Sequence, residues 1–84
     1  MRTLRIAISD PPTGDIIHRF RNFGEDVYRE LREECTVRID EIDASTTSFM
    51  VRDIHRRDLR RITRIITELL REHHFEASAT VTSL

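Results

Sequence analysis

The hydrophobic period along this chain changes from two to about 3.6 and back, twice over, and that alternation limits the fold more than any other feature of the sequence. Leu4, Ile6 and Ile8 alternate with Thr3, Arg5 and Ala7, so residues 3–8 predict a strand with one buried face. The turn-forming run Ser9-Asp10-Pro11-Pro12-Thr13-Gly14 stops it. Over residues 14–34, Ile16, Phe20, Phe23, Val27 and Leu31 recur three or four apart and form one helical stripe. Thr13 suits the N-cap of that helix, and Asp15 suits the positive end of its dipole. From Cys35 the period of two returns, with Val37 and Ile39 facing one way and Thr36, Arg38 and Asp40 the other. Asp43-Ala44-Ser45-Thr46 reads as a hairpin loop, and Thr47 to Ile54 as the returning strand with Phe49 and Val51 inward. A second helix over residues 57–73 carries Leu59, Ile62, Ile66 and Leu69, a stripe widened by Ile65 and Leu70. Residues 75–82 read as a last strand with Ala77, Ala79 and Val81 on one face.

The resulting order, β-α-β-β-α-β, predicts an α+β, ferredoxin-like (split βαβ) two-layer sandwich. Its four-stranded antiparallel sheet has both helices on one face, and right-handed crossovers put the first and third strands in the middle. Eighty-four residues are enough for one such domain spanning 1–84. A single cysteine, Cys35, cannot form an internal disulfide, which points to a reducing, cytoplasmic setting. No apolar run reaches the roughly 18 residues of a membrane span, and the first residues do not read as a secretory leader.

The net charge of −1 excludes a uniformly basic nucleic-acid binder, yet it conceals segregation. Residues 1–24 carry +2, 25–43 carry −5, 44–64 carry +4 and 65–84 carry −2. All fourteen basic residues are arginine. Biased coding in a GC-rich genome explains that choice as well as selection for guanidinium does, so placement carries more meaning than identity. Arg56, Arg57, Arg60, Arg61 and Arg64 crowd the expected start of the second helix, where backbone N–H groups and guanidinium groups would converge on an anion or a nucleic acid. Pairing with the acidic segment 25–43, or with a second copy of the chain, would use the same arginines structurally. The open sheet face is expected to hold Arg5, Arg38 and Arg52 among threonines, Ser78, Asp40 and Met50. RNA-recognition domains of this topology stack bases on aromatics of the two central strands; here the first strand has none, and Phe49 fits the core better.

Nothing in the sequence assembles a catalytic centre. His18, His55, His73 and His74 lack the spacings of a metal site, and no metal or other cofactor is expected. Cys35 suits a buried strand position, and Asp40, Glu41 and Asp43 suit a solvated hairpin end. With only Gly14 and Gly24 there is no glycine-rich phosphate loop. The turn Asp10-Pro11-Pro12-Thr13-Gly14, between a strand and an amphipathic helix, resembles the Asp-x-Pro-Gly turn of ACT regulatory domains, with Thr13 separating the proline from the glycine. That resemblance covers about fifteen residues; it implies amino-acid sensing at a subunit contact and assigns no ligand residues. The leading expectation is a non-enzymatic interaction or regulatory module acting through a protein partner or as a homodimer. Contact is expected through a sheet edge or the helices, because Ile17, Tyr28, Ile54, Ile65, Leu70 and Leu84 are left over once the seams are filled; Ile65 and Leu70 are the candidate contact residues. Nucleic-acid or anion binding at the arginine cluster is the alternative.

Overall fold

A computed structural model describes residues 1–34, 37–40 and 46–84. It contains strand β1 (Arg2–Ile8), helix α1 (Gly14–Glu34), strand β2 (Arg38–Ile39), strand β3 (Ser48–Ile54), a 3₁₀ turn (Arg56–Asp58), helix α2 (Leu59–Glu72) and strand β4 (Ala79–Ser83). The strands form one antiparallel sheet in the order β2-β3-β1-β4, so the first and third strands are central, as in a ferredoxin-like fold. Cys35, Thr36 and the loop residues 43–45 lie outside the described residues, as do Glu41 and Ile42.

One core lies between the helices and the inner sheet face. Leu4, Ile6 and Ile8 of β1 and Phe49 and Val51 of β3 meet Phe20, Phe23, Val27 and Leu31 of α1 and Ile62, Ile66, Leu69 and Leu70 of α2. Helix α1 starts where Thr13 ends the turn: the Thr13 hydroxyl accepts the Ile16 N–H at 3.3 Å, an N-cap bond to the third helical position.

Strand β3 departs from strict alternation. Arg2 faces Ile54 while Leu4 faces Val51, so β3 contains one extra residue, and Asp53 takes a left-handed backbone with φ 62°. This bulge turns Ile54 from the open face into the core, where it is fully buried. Ile54 is therefore core and not a surplus apolar side chain. Leu70, 3% exposed, is core as well, and Ile65 is half-buried against it.

The chain after α2 also differs from a strand beginning at residue 75. His74 is left-handed (φ 63°), the Phe75 N–H donates to Leu70 O at 2.8 Å, and the His74 N–H donates to Arg71 O at 3.1 Å. These two bonds make a Schellman cap that drives the Phe75 ring into the core beside Leu70. Ala77 is exposed in the turn that follows, and the strand starts only at Ala79. Glycine adopts the His74 conformation without a Cβ clash, so His74→Gly should raise stability by about 0.5–1 kcal/mol, the left-handed penalty less the freedom glycine adds to the unfolded chain. A higher urea midpoint with an unchanged slope would show it; a lower midpoint would mean that the imidazole contributes more than the backbone costs.

Candidate functional site: an arginine-lined hollow and an open strand edge

The five arginines singled out in the sequence do not act as one group. Arg56 and Arg57 belong to the 3₁₀ turn, not to the helix, and α2 begins at Leu59. The turn also satisfies N–H groups that an anion would otherwise use: Asp58 N–H donates to His55 O at 2.9 Å, and Leu59 N–H to Arg56 O. Asp58 makes no side-chain cap bond; its carboxylate accepts from Arg61 Nη2 at 3.3 Å. Arg61 is thus partly neutralised by an acid of its own helical turn.

Arg56, Arg60 and Arg64 project to the other side and line a hollow of about 520 Å³ with Leu59, Thr63 and Arg2. Local spacing gives no sign that Arg2 is a member. It arrives because β1 runs antiparallel to β3, which sets Arg2 opposite Ile54, two residues before the 3₁₀ turn. Leu59 supplies apolar wall, and Thr63 donates its hydroxyl to Leu59 O at 2.7 Å, which leaves its methyl group to the surface. Among the described residues, Arg2, Arg56, Arg60 and Arg64 have no ion-pair or hydrogen-bond partner for their guanidinium groups. Arg57 lies outside the hollow's lining.

Several other arginines are paired, whereas Arg5, Arg21, Arg38 and Arg57 have no ion pair among the described residues. Arg52 holds Asp40 at 2.8 Å across the open sheet face, Arg29 holds Asp26 at 3.0 Å, and Arg71 holds Glu76 at 3.1 Å. A hollow of about 610 Å³ between α1 and β2 intersperses Arg29 and Arg32 with Glu25, Glu33 and Asp40, so it presents no single sign of charge.

The second exposed feature is main chain. Leu84 N–H donates to Thr3 O and Ser9 N–H to Ser78 O, both at 2.9 Å. In this register the backbone groups of Thr80 and Thr82 point at β1, and those of Ala79, Val81 and Ser83 point away from it. Because β4 ends the sheet, these three residues present their N–H and C=O groups at an edge. The segment Ala79-Thr80-Val81-Thr82-Ser83 contains no charge, proline or bulge to guard it. Leu84, 60% exposed, adjoins it.

No protein-family model matches the chain, and no curated protein matches it in sequence.

Several other polar side chains are engaged within the fold. Asp10 of the proline-rich turn accepts from Ser78 Oγ at 2.7 Å, which ties the β1–α1 connection to the approach of β4. His73 pairs with Asp26 at 2.7 Å, His18 meets Asn22 at 3.4 Å, and among the described residues no three His, Cys, Asp or Glu side chains converge as a metal site. No helix among the described residues is long and apolar enough to cross a membrane.

Proposed function

We propose that this chain is a small non-catalytic interaction module that works as a homodimer paired through the β4 edge. The observation that carries this reading is the outward direction of the Ala79, Val81 and Ser83 backbone groups on an unguarded edge. A two-fold axis through Val81 sets Val81 opposite its own copy and Ala79 opposite Ser83 of the second chain. Every outward N–H and C=O of the strand then finds a partner, and two four-stranded sheets become one continuous sheet. The two-fold axis keeps both pairs of helices on the same face. Helix α2 adds little to this choice, since Leu70 is spent in the core and Ile65 is half covered; on α1 Tyr28 is half exposed and Ile17 partly so.

The same symmetry makes Thr80 face Thr82 of the second copy on the open side, which gives a charge test. Thr80→Lys/Thr82→Lys opposes lysine to lysine twice across the axis and should weaken association by about tenfold or more. Thr80→Glu/Thr82→Lys keeps the same lysine at position 82 beside Arg5 but faces glutamate to lysine, and should dimerise at least as well as the parent chain. Sedimentation equilibrium of the three proteins decides the matter. A parent chain that stays monomeric at every concentration, or a lysine–lysine variant that associates unchanged, overturns the proposal.

A further inference from the structure

We infer that the hollow lined by Arg2, Arg56, Arg60 and Arg64 is a binding site for the phosphate backbone of a nucleic acid, independent of the β4 edge. Four arginines from three elements, β1, the 3₁₀ turn and α2, line one concave surface, and none has an anionic partner among the described residues. The chain has fifteen acidic residues for fourteen arginines, so neutralising acids were available in the sequence. Two acids lie near this end: Asp58 pairs with Arg61, which is outside the hollow's lining, and Asp53, beside Ile54 in the β3 bulge, is exposed and forms no ion pair with the four arginines among the described residues. Like charges held within a Debye length of about 8–10 Å repel one another, and a bound polyanion relieves that repulsion.

Geometry favours a chain of phosphates over a single ion. Arg60 and Arg64 lie one helical turn apart, about 6 Å along the axis, a step comparable with that between neighbouring phosphates of one strand. Arg56 extends the row and Arg2 flanks it from the sheet. The walls contain no aromatic side chain on which a base could stack, and no amide or carboxylate that would read a base edge. Binding is therefore expected to be indifferent to base sequence and carried by phosphate contacts. The arginine-for-lysine choice adds no weight, since the chain contains no lysine.

Fluorescence anisotropy of a labelled single-stranded oligonucleotide with the full chain tests this. Four phosphate contacts predict a salt slope near −2.8, so affinity should fall about 50-fold between ~50 and ~200 mM salt. Arg60→Gln/Arg64→Gln should cut the slope by about half. Arg21→Gln/Arg38→Gln removes the same charge from exposed positions outside the hollow and should leave the slope within experimental scatter. No binding at the lower salt overturns the inference. So does equal loss in both double variants, which would report only net charge. Competition by polyglutamate as effective as by unlabelled oligonucleotide would also overturn it, and would reassign the hollow to an acidic protein.

Discussion

Phe23→Ala should lower the unfolding free energy by about 3–5 kcal/mol, the range for deleting a buried aromatic ring. Phe23 is fully buried, with its ring centroid 5.8 Å from Phe20, 5.9 Å from Phe49 and 6.3 Å from Phe75. It also meets the His73 imidazole edge-on at 5.9 Å. One side chain thereby joins α1, β3 and the cap of α2, and no neighbour can fill the space it leaves without breaking a second ring contact. Against a total of about 5–15 kcal/mol for a domain, that loss leaves the chain marginal or unfolded. Tyr28 lies on the same helix but is half exposed under the Arg32 guanidinium, so Tyr28→Ala should change stability by no more than about 1 kcal/mol. Urea midpoints of both variants check the contrast. A Phe23→Ala loss comparable with that of Tyr28→Ala would mean that the ring cluster does not bear the core.

How far such features can be read from sequence depends on whether they are local and periodic. Phe20 and Phe23 declare themselves because a helix buries every third or fourth residue, and α1 runs over the residues its stripe implies, from the Thr13 cap onwards. The strand order follows from the same periods combined with crossover handedness. Ile54 does not declare itself: whether it faces in or out depends on one left-handed residue, Asp53, and aspartate tolerates that conformation without requiring it. Phe75 reads as the first residue of a strand because aromatics favour strands, whereas the Schellman cap at His74 claims it for the core. The arginine hollow is half legible. A cluster counted along the sequence includes Arg56, Arg60 and Arg64, but helical spacing from residue 57 joins Arg64 to Arg57 and Arg61, both outside the hollow's lining, because the 3₁₀ turn before Leu59 breaks that spacing. Arg2 is remote in sequence and joins only through the pairing of β1 with β3.

Arg19→Ala should cost about 2 kcal/mol, and Arg19→Lys should recover less than half of it. Arg19 Nη2 donates to His73 O at 2.9 Å and His74 O at 3.0 Å, while its guanidinium lies 4.6 Å from the centre of the Phe75 ring. It therefore covers the carbonyl end of α2 with a cation, where the helix dipole is negative, and shields the ring that the cap has turned inward. Lysine supplies the charge and a nitrogen with protons for both carbonyls but not the flat face against Phe75, so a lysine variant as stable as the parent would show that this face contributes nothing. Arg60→Gln is the opposite case. With no partner to lose, it should alter stability by no more than about 0.5 kcal/mol while weakening oligonucleotide binding. The two substitutions separate arginines that build the fold from arginines the fold leaves available. If Arg60→Gln destabilised the chain as Arg19→Ala does, its guanidinium would have a structural partner and the hollow would be part of the scaffold instead of a site.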